Sequence, residues 1–348
     1  MDITKKSMRS CICMKKKLLY RVDGGNVWGV SMGHLKRALI IAEQLKKNFD
    51  IFFVMKNYPD GVSYVKKQGW EKIILIPEHD TDEIFIEICK KYSPEKIICD
   101  LCSTPYTGLF RYTRSHNINT IVFDIKGEVL GSPDIIINDS FVPRFVSYLD
   151  KPKTTKVYAG PSYFLLYNPP KRNPIHRSVR EITLTMGGSD PAGITLKVLN
   201  TCLPELKHYN LNVILGPVFK DQQDVFKLVQ SHKNVRIFQD PPSFLSILSH
   251  SDVVITAAGR TLYECAYFGR PSIIVPTIEH EYVTAKKYAE LSGSIGINCW
   301  HDTESSRKII HALSYYSQNY PVRKIIYDKS RQIVDNKGLK RVLKIICI

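Results

Sequence analysis

The 348-residue chain is long for one domain, and its 44% hydrophobic and 24% charged residues are ordinary for a globular protein. A chain of this size needs no disulfide framework. Its nine cysteines include Cys89, Cys99 and Cys265 inside apolar runs and form no C-x-x-C pair or zinc-spaced Cys/His cluster, which points to a reducing cytoplasm and no structural metal. The formal charge of +16 favours anionic partners, yet it is spread along the chain without a nucleic-acid motif, and no apolar run approaches the roughly 20 residues of a membrane span.

Residues 1–17 form a basic extension without the apolar core of a secretory signal, with Met8 and Met14 as alternative starts. Short apolar, β-branched runs then alternate with amphipathic segments. In the first half the runs are Leu18–Val22, Ile51–Met55, Ile73–Ile76, Ile97–Cys99, Thr120–Phe123 and Asp134–Ile137. In the second they are Ile182–Met186, Asn212–Leu215, Val235–Phe238, Val253–Thr256 and Ser272–Val275. Such runs suit parallel strands buried on both faces. Helical periodicity predicts helices from about His34 to Lys47 and over Asp82–Tyr92, Gly193–Leu206, Leu262–Phe268 and Tyr282–Leu291. The alternation repeats twice, so the class is α/β with two doubly wound, Rossmann-like halves. The proline-rich stretch 167–179 reads as a linker between a first domain, 18–166, and a second, 180–304. A basic helical tail, 305–348, follows.

In such sheets ligands sit beyond the strand C-termini, where loops enter helices. The first such loop, Asp23 to His34, carries Gly24, Gly25, Gly29 and Gly33. His34 then stands near a helix N-terminus, where the dipole disfavours its protonated form and leaves a neutral imidazole able to accept a proton. Asp23, at the strand end, would orient that imidazole or touch a sugar hydroxyl. The second loop, Gly187-Gly188-Ser189-Asp190-Pro191, can surround an anion, although ordinary strand-to-helix turns use the same residues. The third, Thr256-Ala257-Ala258-Gly259-Arg260-Thr261-Leu262-Tyr263-Glu264, lets a diphosphate approach a helix start. Glu264, one turn along that helix, can accept both ribose hydroxyls or serve as a capping acid. A fourth cluster, Glu279-His280-Glu281, ends a buried strand and suits proton transfer, sugar recognition or a solvated helix start.

Taken in order, these motifs resemble the PseG/SpsG-type nucleotide-sugar hydrolases and, more distantly, the MurG-like glycosyltransferases of the GT-B fold. Gly33-His34-Leu35-Lys36-Arg37 is similar to the family's Gly-His-x-x-Arg, Asp134–Asn138 to its Ala-Asp-Leu-Val-Leu-Asn, and Gly160–Leu166 to its Gly-Pro-x-Tyr-x-Leu-Leu. Gly187–Pro191 and the Ala257–Glu264 loop complete a likeness that runs from about Leu19 to Asn298. The resemblance implies hydrolysis of a UDP-linked diacetamido-trideoxy sugar, on a route to a nonulosonate, by a cytoplasmic monomer or weak dimer without cofactor or metal. His34 would be the base that activates water, with Asp23 beside it. Gly25, Gly33, Arg37, Asp100, Tyr106, Glu279 and His280 would face the sugar. Gly187, Gly188, Ser189, Phe238, Gly259, Arg260, Thr261, Leu262 and Glu264 would hold UDP.

The chain departs from the family pattern in three places. Its first loop is two residues longer. Asp100-Leu101-Cys102 stands for Asp-x-Tyr, with Tyr106 the nearby phenol, and Glu279-His280-Glu281 stands for Glu-Asn-Gln. The rival readings are a glycosyltransferase on the same scaffold and, from another class, a silent nucleotide-sugar sensor.

Overall fold

The computed structural model describes residues 15–27, 30, 32–142, 148, 150–298 and 300–347, the side chains of Glu279, His280 and Asp302 excepted. Most of the 1–17 extension, together with Trp28, Gly29 and Ser31 of the first glycine loop, lies outside the described residues.

The opening strand shows how the sequence makes the first half. In β1 (Lys16–Val22), side chains alternate between faces. Leu18, Tyr20 and Val22 join one core cluster, and Leu19 joins another on the opposite face. Both faces are covered, and each fully buried apolar side chain contributes about 1.5–3 kcal/mol of transfer free energy. The chain continues through α1 (Met32–Leu45), β2 (Phe49–Lys56), α2 (Pro59–Lys67), β3 (Ile73–Ile76), α3 (Asp82–Tyr92) and β4 (Lys96–Asp100). It then runs through α4 (Gly108–Ser115), β5 (Asn119–Phe123), β6 (Ile135–Asn138) and β7 (Lys156–Ala159). Helix α1 buries Met32, Leu35, Ala38, Ile41, Ala42 and Leu45, the i, i+3, i+4 stripe of an amphipathic helix. The strands form one parallel sheet in the order β3-β2-β1-β4-β5-β6-β7.

The second half repeats this plan. It comprises β8 (Glu181–Thr185), α5 (Ile194–Cys202), β9 (Asn210–Leu215), α6 (Gln222–Val229), β10 (Val235–Gln239), α7 (Phe244–His250), β11 (Val253–Thr256), α8 (Thr261–Phe268), β12 (Ser272–Ile274), α9 (Glu279–Ser292) and β13 (Ile295–Gly296). The parallel order β10-β9-β8-β11-β12-β13 reproduces that of the first six strands. In both halves the first strand lies beside the fourth, the switch point where loops diverge and a crevice opens.

The basic tail is three helices, α10 (Asp302–Gln318), α11 (Tyr320–Ser330) and α12 (Gly338–Ile346). The first two pack on the second half, through Ile309, Leu313, Tyr316 and Ile326. The last returns to the first half, where Val342, Ile345 and Ile346 enter the core beside α1. Among the described residues, no helix is long and apolar enough to cross a membrane.

An aromatic stack joins the halves. Tyr263 of α8 stacks on Phe141 at 3.7 Å and on Phe164 at 4.5 Å between centroids, and its hydroxyl accepts the Phe141 N–H at 3.1 Å. Glycines permit close approaches both between the halves and within the first. A Cβ on Gly188 would lie 2.5 Å from Met32 Cβ across the cleft, and one on Gly61 would lie 1.7 Å from the Gly24 carbonyl.

Candidate functional site

The first-half crevice is a cavity of about 500 Å³ whose lining includes Asp23, His34, Lys56, Glu78, Asp80 and Cys102. His34 is the third residue of α1 and is 7% exposed. Asp100, the last residue of β4, reaches under it, with Oδ1 2.6 Å from Nδ1. A carboxylate only accepts, so the proton sits on Nδ1 and Nε2 points toward Cys102 Sγ at 3.4 Å. Arg37, one turn along α1, grips the same carboxylate at 2.6 and 2.7 Å, and its Nη1 donates to Asp139 at 2.9 Å. Asp139 follows β6 and also accepts from Arg260 Nη1 of the second half at 3.1 Å.

These contacts set the charges. Burial opposes a charged imidazole, but the charge and hydrogen bond of Asp100, helped by Cys102, outweigh it and push His34 up to about 9. Burial would raise Asp100, but Arg37 and then His34 outweigh it and hold the carboxyl down at about 2. The expectation of a neutral imidazole set by the helix dipole is therefore corrected. A dipole at a helix start is worth about 0.3–1 kcal/mol, less than a buried carboxylate in direct contact.

Other sugar-side expectations also change. Asp23 does not orient the imidazole. Its two oxygens take Arg21 Nη1 and Nη2 at 2.7 Å each, and Oδ1 also accepts the Lys56 N–H at 2.8 Å. It nonetheless lines the cavity. Asp100 and Arg37, at 0% and 1% exposure, lie beneath the cavity and support His34 rather than meet a sugar. Tyr106 is buried too, its hydroxyl donating to Asp80 and accepting from Arg21 Nε at 3.1 Å. Gly25 packs on Tyr58, and Gly33 lies in the first turn of α1. Glu279 and His280 open α9, and their side chains lie outside the described ones.

The second-half crevice is built differently. At the Gly187–Pro191 loop, Asp190 accepts the Ile194 and Thr195 N–H groups at 2.9 and 2.7 Å. Those are first-turn donors of α5, so the carboxylate already fills the place expected for an anion. Gly187 and Ser189 remain at the cleft surface. The N-cap of helix α8, Arg260, makes no side-chain cap, as Gly193 of α5 makes none. Gly259 leaves room there, because a Cβ would meet only Glu281 Oε1 at 3.8 Å. Thr261 opens the helix, whereas Leu262 is wholly buried in the core and is no ligand contact. Glu264 is half-buried. Burial pushes it up to about 7 against the pull of Lys36 and Arg260. Phe238 is half-buried near the end of β10, beside Asp240, which accepts from Lys36 across the cleft at 3.4 Å.

Asp139, Cys102 and Lys36 make contacts at the site that the sequence did not disclose. Asp139 had a usable signal, because an acid just past a buried parallel strand sits where such sheets hold ligands.

Two parallel sheets of the same strand order facing one cleft define the class, a protein of the GT-B fold. The fold is shared with MurG of Acinetobacter baumannii, at a TM-score of 0.65 and 16% identity over 95% of this chain and 99% of that one. It is shared also with the spinosyn rhamnosyltransferase SpnG complexed with thymidine diphosphate, at 0.63 and 12% identity over 94% of this chain and 100% of that one. Residues 182–320 match the glycosyltransferase family 28 C-terminal domain. More particularly, the chain is similar to the spore coat polysaccharide biosynthesis protein SpsG of Bacillus subtilis, 25% identical over 93% of this chain and 96% of that protein. A Helicobacter pylori protein, pseudaminic acid cytidylyltransferase and UDP-2,4-diacetamido-2,4,6-trideoxy-beta-L-altropyranose hydrolase, is 31% identical over 34% of this chain and 21% of its own length.

Proposed function

We propose that the chain hydrolyses a UDP-linked sugar of the diacetamido-trideoxy type in surface-polysaccharide or nonulosonate synthesis. The observation that carries the reading is the His34–Asp100 pair at a cavity, linked through Arg37 and Asp139 to Arg260 at the start of α8. The partial likeness to the Helicobacter protein supports the choice of sugar class.

The nucleoside diphosphate lies on the Gly259–Thr261 loop, with Glu264 on the ribose and Phe238 beside the base. The sugar enters the cavity near Asp23. Asp100 fixes the His34 tautomer so that Nε2, when deprotonated, takes a proton from water as its oxygen attacks the anomeric carbon. The bond from that carbon to the diphosphate oxygen breaks, and its electron pair leaves with UDP. Arg260, Lys36 and the α8 N-terminus stabilise the departing charge.

A transferase reading is favoured by the family 28 domain, with an acceptor hydroxyl in place of water. The test offers UDP-sugars without acceptor and measures free UDP and free sugar. Equimolar release supports hydrolysis. Binding without release, relieved by an added sugar or lipid acceptor, replaces it with transfer.

A further inference from the structure

Asp139 is 2% exposed and lies between two guanidinium groups from opposite halves. Its Oδ2 accepts from Arg37 at 2.9 Å and from Arg260 at 3.1 Å. Through Arg37 and Asp100 the contacts run on to His34, giving an alternating series of charges, His34–Asp100–Arg37–Asp139–Arg260. Four members are buried. Arg260 is the outer end, its side chain 20% exposed and its guanidinium held 4.4 Å over the Phe164 ring. The series spans the interface between the halves and ends where α8 begins.

We propose that Asp139 is a positioning residue that ties the proton affinity of His34 to occupancy of the Gly259–Thr261 loop by a diphosphate. This rests on the nucleotide-binding reading given above. Arg37 divides its charge between Asp100 and Asp139, and Arg260, paired with Asp139, would divide its own with a bound diphosphate. An anion on Arg260 leaves Asp139 less neutralised, and Asp139 then draws harder on Arg37. Asp100 loses part of that partner and turns its charge toward His34, whose proton affinity rises. Removing the Asp139 charge does the reverse, because Arg37 then falls wholly to Asp100.

His34 also meets Cys102 from the loop after β4, and its cavity is lined by Arg21 of β1, Asp23 just after it, Lys56 of β2, Tyr58, and Glu78, His79 and Asp80 ahead of α3. None of these is altered by substituting Asp139 or Arg260, so the sign of each effect belongs to the series. In the reaction, substrate binding strengthens His34 as proton acceptor, and departure of UDP weakens it and returns the proton to water. By reciprocity, UDP binds more tightly below the His34 midpoint than above it.

The test is an NMR titration of the His34 imidazole in the whole protein, its resonance assigned by its loss in His34→Asn. The expected results are a midpoint lowered by about half a pH unit or more in Asp139→Asn and raised by a similar amount in Arg260→Ala, each about threefold in proton affinity. UDP raises the wild-type midpoint and leaves that of Arg260→Ala unmoved. Shifts of the same sign in the two variants, or none, overturn the proposal, since mere loosening does not reverse sign between them. If Asp139→Asn does not fold, the rise in Arg260→Ala and its insensitivity to UDP decide the matter. Calorimetry with UDP keeps the two readings apart. UDP that binds without moving the wild-type midpoint overturns the coupling. UDP that does not bind overturns the nucleotide reading, while the opposite shifts in the variants still decide the series.

Discussion

The two halves share a strand order and use their switch points in opposite ways. At the β1–β4 switch point the first half buries ionic groups in pairs, with Arg21 on Asp23 and Asp80, and Arg37 on Asp100 and Asp139. At the β8–β11 switch point the second half offers small residues, backbone at the head of α8 and two half-buried acids, Glu264 and Glu281. One scaffold thus holds a network of buried ion pairs on one side and an open helix start on the other, which the proposed function uses as a proton site and an anion cradle. Proton transfer needs a fixed tautomer and a tuned affinity, whereas a diphosphate needs donors with room to approach.

The comparison breaks first where its ionic side is cut. Arg37→Ala leaves Asp100 and Asp139 buried with less compensation, and the expected loss is about 3–5 kcal/mol of folding stability, read by urea unfolding. A loss within about 0.5 kcal/mol would mean that the first half does not depend on its buried pairs.

His34→Asn is expected to lower turnover on the order of 100-fold or more while UDP affinity stays within about threefold. The wild-type rate should rise with pH toward about 9, because the base works deprotonated and Asp100 holds its proton to that value. The stability contribution runs the other way. A raised histidine stabilises the fold fully below its ordinary midpoint and ceases to as pH rises through about 9. Thermal unfolding from pH 6 to 10 should therefore decline in the wild type more than in His34→Asn, and parallel declines would remove His34 as the cause.

The second half is sharpened by Glu264→Gln, expected to weaken UDP binding about tenfold, or about 1.4 kcal/mol, with turnover nearly unchanged. A fall in turnover at unchanged affinity would move Glu264 to the reacting end. The smallest effect concerns Cys102, half-exposed beside His34, whereas Cys89, Cys99, Cys202 and Cys265 are buried with their thiols pushed up by burial. Iodoacetamide should label Cys102 about tenfold faster than those four. Mass spectrometry should find that rate reduced in His34→Asn, and an unchanged rate would deny the contact any influence on the thiol.

The alternation of β-branched runs and amphipathic stripes made both sheets legible, and Ile73–Ile76, Val253–Thr256 and Asp82–Tyr92 agree residue for residue. Two short edge strands escaped notice. Lys156–Ala159 is largely solvent-facing and Ile295–Gly296 spans two residues, so neither carries a buried run. At the site, loop positions were readable and partners were not. Arg37 follows His34 by three residues in a motif suggestive of ligand contact, yet that spacing puts both on one helix face over Asp100. Which acid meets which cation depends on strand order, which joins residues 63 to 121 positions apart here and has no local signature. Leu262 was misplaced for a related reason, because a residue inside a glycine-rich loop motif falls on the core face once α8 begins.

The most direct test of the central claim, that His34-activated water attacks the sugar carbon, is turnover in ¹⁸O-water with mass analysis of the released UDP. UDP free of ¹⁸O is expected, because the bond between the anomeric carbon and the diphosphate oxygen is the one that breaks. UDP carrying ¹⁸O on its terminal phosphate would place the attack at phosphorus and contradict that claim.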